Sequence, residues 1–270
     1  SAAEWGSAVI QNDMALKFGP DLTAAPGLAT GCDPSADKRT WTCHLREGLK
    51  WSDGQPITSK DVVFSYNFVR DKQFDYFNSY FPDGTTFTTP DDLTYVWHLK
   101  DPGIGPLRPA WCYIVPEHIW GKYANSTQDQ IKAVKLMPNV ASGPFVMTQA
   151  NPGQNWTFSR NPYFWGTKPV YDQVVFQTYT NQEAMVQALK NGEIDIADGF
   201  DGPLLPALGA IKNVAVQKVV SDFWVSLAFN FGGQGPNSHP LPALQDLNVR
   251  KAIEMAIDRQ GIVDKVYPGA

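Results

Sequence analysis

The sequence predicts an α/β fold in which a small α+β unit comes first and strand–helix–strand structure follows. Two observations support this prediction. Apolar residues alternate in two similar short segments, 40–45 and 94–99, and a helical pattern lies between them. After residue 115, short apolar segments alternate with further helical patterns. Alternation with a period of two indicates half-buried strands, whereas spacings of three and four indicate amphipathic helices.

The composition excludes several classes of protein. The 270 residues are 43% hydrophobic and 18% charged, which is typical of a globular chain. A net charge of −5 and the lack of a basic run argue against nucleic-acid binding. The sequence contains no uninterrupted run of about 18 apolar residues, so it predicts no transmembrane helix. The first residues lack the build of a signal peptide, so either the chain is cytoplasmic or an export signal has been removed.

The segments 40–45 and 94–99 predict two strands of one antiparallel sheet. Each places apolar residues on one face, and His44 and His98 fall on the other. If the strands pair in register, these two histidines approach each other. Two histidines without a third ligand make a weak metal site, and solvated strand residues are the simpler interpretation. We therefore expect no metal or other cofactor.

Three cysteines inform the redox compartment. Cys32 and Cys43 flank a polar, turn-like stretch that would bring two strand ends together. They are predicted to form a disulfide, worth about 3 kcal/mol or less for so short a loop, and two buried thiols are the alternative. Such a bond would indicate an oxidising compartment. Cys112 is expected to be a small buried side chain rather than a nucleophile.

The helix between the two strands has a clear start. Thr58 and Asp61 are spaced as in a capping box, and Val62, Tyr66 and Val69 then form one apolar stripe. Further predicted elements are a helix near 126–138, strands at 145–148, 155–158 and 174–178, a helix at 182–190, strands at 194–197, 214–220 and 223–229, and a helix capped by Asp246. The run from 174 to 197 predicts a right-handed crossover with parallel strands.

No catalytic motif is present. The sequence lacks a zinc-protease motif, a P-loop, a GxGxxG and a hydrolase elbow. The candidate acid/base carboxylates are Asp53, Asp91 with Asp92, and Asp195 with Asp198 and Asp201, and each has a simpler interpretation at a turn or next to a strand. His118 is expected to be a loop or helix-start residue. Because nothing selects a catalytic pair, we expect that the protein is not an enzyme.

One long segment makes the sequence recognisable. WTCHLREGLKWSDGQPITSKDVVFS (41–65) resembles the extracellular solute-binding proteins of the peptide/nickel ABC-importer family, of the oligopeptide- and dipeptide-binding type (solute-binding family 5). Further segments resemble the family in the same order: VPEHIW (115–120), ASGPF (141–145), RNPYFW (160–165), LKNGEID (189–195) and VRKAIEMAIDR (249–259). Most of these residues suit turns and helix ends, so the motifs identify the family without themselves binding a ligand.

The resemblance implies a fold and a function. The fold is a periplasmic-binding-protein-like lobe, a mixed sheet with flanking helices and an inserted small α+β subdomain. The function is capture of short peptides in a cleft between two lobes that close by a hinge, followed by delivery to an ABC transporter permease. The place is extracytoplasmic, in the periplasm or on the outer face of the membrane. Contact with the membrane is expected only through a lipid anchor that this chain does not contain.

Family members continue beyond the last motif, so the sequence is interpreted as a fragment whose second lobe is largely missing. The predicted regions are an irregular part at 1–30, the α+β subdomain at 31–115, the α/β lobe at 116–230, and a crossover with the stub of the second lobe at 231–270. We expect the fragment to bind ligand weakly or not at all. We also expect the apolar face of the helix from Asp246 to Arg259 to be exposed or covered by another copy.

Four residues of the first lobe are predicted to contact ligand. Phe200 and Asp201 follow a predicted strand, where ligands of open α/β folds bind, although a solvated loop is the alternative. Trp224 is either a stacking platform or a core residue. Asn230 lies near the expected crossover between lobes. Peptides are the first ligand class and oligosaccharides the second. Two functions of a different class stay open: a secreted carbohydrate-active enzyme, and an interaction module that binds no ligand.

Overall fold

The computed structural model describes residues 8–19, 23–72, 81–107, 112–134, 137–200, 204–217, 226–229 and 241–266. By its internal contacts the chain divides into two units, Ser1–Thr178 and Tyr179–Ala270. The domain boundaries expected at residues 30, 115 and 230 stay predictions. Across the described ranges, no helix combines the length and the apolar character that crossing a membrane requires.

The N-terminal region contains more regular structure than the sequence pattern suggested. Residues 8–11 are helical. Strands β1 (Leu16–Phe18) and β2 (Ala24–Pro26) pair antiparallel. The expectation that residues 1–30 are irregular is therefore wrong for this part. Strands of three residues are too short to produce a recognisable alternation, which explains why the pattern missed them.

A four-stranded antiparallel sheet is the centre of the first unit. Its strands are β3 (Ala29–Pro34), β4 (Thr40–Leu45), β5 (Thr86–Asp91) and β6 (Thr94–His98), in the order β3-β4-β6-β5. Trp41 faces Trp97 across β4 and β6, and both rings are buried, as are Cys43, Leu45 and Tyr95 on the same face. The predicted pairing of these two strands is confirmed.

The same sheet settles the cysteine and histidine predictions. Cys32 lies opposite Cys43 and is bonded to it, so the predicted disulfide is confirmed. His44 and His98, in contrast, lie at opposite ends of the strand pair, opposite Thr94 and Thr40 respectively. The expectation that the two histidines approach each other is wrong, because antiparallel pairing reverses the direction of the second strand.

Helix α1 (Ser59–Asp71) packs on this sheet. It begins with the predicted capping box, in which Thr58 and Asp61 satisfy each other's backbone N–H groups. Its buried stripe includes Val62 and Tyr66. The Tyr66 ring lies 5.2–6.1 Å from four aromatic rings, those of Phe81, Phe87, Tyr95 and Trp97. This aromatic cluster joins the helix to the sheet.

Two short helices follow the sheet, α2 (Glu117–Trp120) and α3 (Gln128–Lys132). Thr127 caps α3 and accepts a hydrogen bond from the Gln130 N–H at 3.3 Å. The helix predicted near 126–138 is thus present but much shorter. Only Ile131 of α3 is buried, so little apolar contact supports additional turns.

The first unit ends in a further antiparallel sheet, of three strands. Strands β7 (Phe145–Asn151), β8 (Asn155–Arg160) and β9 (Gln173–Gln177) neighbour one another in this order. All three strands were predicted, with slightly different limits. Gly153 allows the tight turn between β7 and β8, since its φ of 75° lies in the left-handed region.

The second unit begins with helix α4 (Gln182–Asn191). The Asn181 side chain accepts a hydrogen bond from the Ala184 N–H at 2.8 Å, and Gly192 ends the helix with a φ of 72°. This start and this stop are the ones that the sequence predicts.

The strand predicted at 194–197 does not form, so the predicted parallel crossover is wrong. Ile196 is 86% exposed, and among the described residues no strand lies beside this segment to pair with it. Every strand pair that the structure describes is antiparallel. Residues 214–217 and 226–229 of two other predicted strands are irregular. The remainder of those predictions lies outside the described residues.

The described residues of the second unit also form the helices α5 (Leu205–Gly209), α6 (Pro242–Gln245), α7 (Leu247–Ala256) and α8 (Arg259–Val266). Asp246 caps α7 and accepts a hydrogen bond from the Asn248 N–H at 2.8 Å, as predicted. No residue of α7 is buried, and Met255 is 86% exposed. The expected exposed apolar face of this helix is confirmed.

Candidate functional site

Of the four residues predicted to contact ligand, the structure describes Phe200. It is half-buried at the end of the loop that follows α4. The Gln182 side chain donates a hydrogen bond to the Gly199 carbonyl at 3.2 Å, which ties the loop to the first turn of α4. Asp201, Trp224 and Asn230 lie outside the described residues. Asp198, next to this tie, is exposed.

Three of the segments that carry the family resemblance, 41–65, 115–120 and 141–145, meet at one place in the first unit. We call this place the motif junction and define it by Ser52, Asp53, Asp61, His118 and Ala141. These residues come from three segments that are far apart in the chain. Hydrogen bonds between side chains, and between side chains and backbone N–H groups, join the three segments.

Asp61 joins α1 to the start of α2. Its carboxylate is 5% exposed and accepts hydrogen bonds from the N–H groups of Thr58, at 2.8 Å, and Glu117, at 2.9 Å. One helical turn later, the Ser65 hydroxyl accepts a hydrogen bond from the Val115 N–H at 2.9 Å. A buried carboxylate with several N–H donors is well satisfied, so α1 fixes the position of the 115–117 segment.

His118 and Asp53 form the most chemically distinctive pair of the junction. His118 Nε2 lies 2.8 Å from Asp53 Oδ2, and about a third of each side chain is exposed. The other carboxylate oxygen accepts from the Gln55 N–H at 3.1 Å, and Gly54 has a φ of 88°. The predicted Asp53–Gly54 turn is confirmed, and His118 lies at a helix start as expected.

Ser52 and Ala141 connect the junction to the N-terminal region. The Ser52 N–H donates to the Ala141 carbonyl at 2.9 Å, and the Ala141 N–H donates to the Ser52 hydroxyl at 3.0 Å. The next residue, Ser142, is fully buried and accepts from the Asp13 N–H at 2.8 Å. This segment therefore links residue 13 to residue 52.

Gly143 is required by the close approach of another backbone. A Cβ on this residue would lie 2.6 Å from the Ile10 carbonyl oxygen and 2.7 Å from that of Gln11. The buried Asn161 side chain donates to the Gly143 carbonyl at 2.8 Å and accepts from the Tyr163 N–H at 2.9 Å. The segments 141–145 and 160–165 thus form one hydrogen-bonded unit with the N-terminal region.

Asp13 has a structural role that the sequence patterns did not indicate. Its side chain is 4% exposed, and its carboxylate lies 2.9 Å from the Trp165 indole nitrogen and 2.8 Å from Lys17 Nζ. The Arg46 guanidinium lies 4.4 Å from the Trp165 ring centroid, and Lys17 lies 5.3 Å from it. Both distances suit cation–π contact. The only indication of this role in the sequence is the spacing of four residues between Asp13 and Lys17, which suits an ion pair.

Burial favours the neutral forms of one thiol and two phenols in the core. Burial raises the pKa of the Cys112 thiol to about 12 and raises the pKa of Tyr66 and Tyr95 above the ordinary tyrosine range. A thiol that stays protonated at neutral pH is a poor nucleophile. Cys112 is therefore a buried core side chain, as predicted.

The histidines have separate polar neighbours. His44 Nε2 lies 3.7 Å from an Asp33 carboxylate oxygen, and His98 Nε2 lies 2.9 Å from the Thr88 hydroxyl. Throughout the residues that the structure describes, no three His, Cys, Asp or Glu side chains are grouped so that they could hold a metal ion.

The polar groups of the motif junction bond to one another and to nearby backbone groups. This arrangement stabilises the fold.

Comparison with known proteins gives the same family. Residues 23–270 match the model of the bacterial extracellular solute-binding proteins, family 5 Middle. A Brucella ovis protein described as an ABC transporter peptide-binding protein is 28% identical over 90% of this chain and 44% of its own length. The periplasmic alpha-galactoside-binding protein of Rhizobium meliloti is 28% identical over 92% of this chain and 42% of its own length.

A solved structure shows the fold. The ABC transporter substrate-binding protein CtaP of Listeria monocytogenes matches 99% of this chain and 52% of its own, with a TM-score of 0.76 and 24% identity. The chain spans less than half the length of the two relatives. The family is described as extracellular, so the place of the chain is extracytoplasmic. The chain belongs to the bacterial extracellular solute-binding proteins of family 5.

Proposed function

We propose that the protein acts as the ligand-capturing component of an ABC importer and holds short peptides in a cleft between two lobes. The lobes would close by a hinge, and the closed form would deliver the peptide to a membrane permease. The observation that carries this proposal is the family match over 23–270, together with a relative of similar sequence described as a peptide-binding protein. The role involves binding without catalysis.

The proposed contact residues on this chain are Phe200, Asp201, Trp224 and Asn230. The half-buried position of Phe200, on a loop tied to the start of α4, supports its part in a ligand surface. In the sequence, Phe200 stands two positions from Asp198, whose side chain is exposed, and an aromatic ring near a carboxylate suits a peptide, whose backbone and amino group offer N–H donors.

Oligosaccharides are the second ligand class. The similarity to an alpha-galactoside-binding protein supports it to the same extent as the similarity to the peptide-binding relative, since the two identities are equal. The aromatic content of 13% is compatible with sugar stacking. Peptides stay the first proposal because the resemblance of the motifs is to the peptide-binding type.

A thermal-shift screen tests the proposal. The 270-residue chain and the longest natural polypeptide that contains it are each heated with a pool of short peptides and with a pool of oligosaccharides. A ligand at 100 times its dissociation constant adds about 2.7 kcal/mol of stability, enough for a clear shift. Stabilisation of the longer polypeptide by peptides supports the proposal. Stabilisation by sugars alone would replace peptides with oligosaccharides, and release of a cleaved product would indicate an enzyme.

A further inference from the structure

A groove of about 310 Å³ runs along α1. Lys60, Phe64, Asn67 and Phe68 line it from α1, and Thr89 and Ala124 line it from other segments. A groove of this volume lies at the lower end of the range for small-molecule sites, about 300–1,000 Å³.

Aromatic rings form the floor of the groove. Phe64 and Phe68 stack on each other, with centroids 5.2 Å apart and an angle of 23° between the rings. Phe64 is half-buried and so leaves ring surface open to the groove. The centroid of the Trp120 ring lies 6.3 Å from that of Phe68. The Gln128 side chain donates a hydrogen bond to the Lys72 carbonyl. These contacts hold the floor and one end of the groove in place.

The rim of the groove carries balanced charge and hydrogen-bonding groups. Two cations, Lys60 and Lys72, stand against two anions, Asp71 and Glu117. Within the described ranges, the Lys72 ammonium and the Glu117 carboxylate have no ion-pair partner. Asn67 accepts from Arg70 at 2.7 Å through its oxygen, which leaves its NH₂ group to donate. The rim therefore offers donors and acceptors without net charge.

We propose that this groove is a binding site for a neutral saccharide of one or two rings. An anionic ligand would meet the two carboxylates and a cationic ligand the two lysines, whereas a sugar is uncharged and rich in hydroxyl groups. Its C–H face would lie on the Phe64 ring, and its hydroxyls would bond to Asn67, Lys72 and Glu117. None of the residues that line the groove is one of the four proposed cleft contacts, and the proposal does not depend on the ligand class bound in the cleft.

The test is a solution NMR titration of the ¹⁵N-labelled 270-residue chain with maltose, sucrose and, as the competing class, tri-alanine. At least one of the two sugars is expected to shift the Asn67 side-chain amide and the backbone signals of Lys72 and Ala124. Phe64→Leu keeps apolar volume but removes the ring, and should weaken binding about two- to tenfold. Asn67→Ala should weaken it similarly, while the matched control Tyr171→Leu, at a ring that is 73% exposed elsewhere, should leave it unchanged.

The NMR signals of Asn67, Lys72 and Ala124 distinguish sugar binding in the groove from sugar binding in the cleft. Sugar-induced shifts confined to residues outside the groove would overturn the proposal, as would a response to tri-alanine alone. Unchanged sugar affinity in both Phe64→Leu and Asn67→Ala would also contradict it. If Phe64→Leu does not fold, the exposed substitution Glu117→Gln serves in its place and is expected to weaken binding in the same assay.

Discussion

The Trp165 indole nitrogen donates a hydrogen bond of 2.9 Å to Asp13 Oδ2 across 152 positions of sequence. The carboxylate is almost fully buried and also accepts from the Met14 N–H at 3.0 Å. One bond thus fastens the end of the RNPYFW segment to the N-terminal region, beside the cation–π contacts of Arg46 and Lys17. The family motifs of the first unit act together as a scaffold, and the following predictions test that role.

Removing the indole donor should destabilise the first unit. Trp165→Phe leaves one oxygen of a buried carboxylate without its donor, which costs about 1–3 kcal/mol in the free energy of unfolding. Urea denaturation followed by circular dichroism measures the change. Trp156→Phe is the matched control, because its half-buried indole has no hydrogen-bond partner among the described residues. Equal effects of the two substitutions would argue against the bond to Asp13.

Adding a methyl group at Gly143 should be severe, whereas the same change at Gly31 should be mild. A Cβ at Gly143 would overlap backbone atoms of Ile10 and Gln11, but a Cβ at Gly31 meets nothing within 4 Å. We expect Gly143→Ala to cost more than about 2 kcal/mol and Gly31→Ala to stay within about 0.5 kcal/mol. The melting temperatures of the two variants, measured together, test this expectation. Similar values for both would show that the segments do not approach so closely.

Loss of the Cys32–Cys43 bond should lower stability moderately. The loop that it closes is short, so the entropic contribution is about 3 kcal/mol or less. The double variant Cys32→Ser/Cys43→Ser and the reduced wild-type chain should show the same lowered urea midpoint. Adding reductant to the double variant should change nothing. A wild-type midpoint that does not respond to reductant would mean that the bond contributes no stability.

Alkaline pH should destabilise the core through Cys112. Burial raises its pKa in the folded chain from 9.0 to about 12, so the folded state holds its proton more tightly than the unfolded state. The resulting stability is fully present below pH 9 and is lost as the pH rises toward 12. Cys112→Ala should flatten this part of the stability–pH curve. An equally steep decline in the variant would assign the effect to other groups, of which Tyr66 and Tyr95 are the nearest candidates.

The sequence predicted those elements whose cause is local. The alternation in 40–45 and 94–99 requires only one buried face, and the Thr58–Asp61 cap and the Gly192 stop act within a single turn. The start of α1, the end of α4 and the strands β4 and β6 were therefore predicted correctly. The prediction at 194–197 failed because a strand also needs a neighbour, and the described structure provides none beside the exposed Ile196.

The scaffold itself could not be predicted in this way. The bonds of Asp13 to Trp165 and of His118 to Asp53 join residues that only the tertiary fold brings together. The register of β4 and β6 likewise decided that His44 and His98 lie at opposite ends of the strand pair. The groove along α1 follows helical spacing on one side, but its other wall comes from Thr89, Glu117 and Ala124, which no local pattern connects.

The most direct test of the proposed role is to identify what the protein carries when it is purified. The longest natural polypeptide containing this chain is isolated under native conditions and unfolded, and the released small molecules are analysed by mass spectrometry. We expect the released molecules to be short peptides, and a peptide added to the folded protein should be recovered intact. Release of oligosaccharides and no peptides would contradict peptide binding. Conversion of the added peptide into fragments would contradict a role in binding without catalysis.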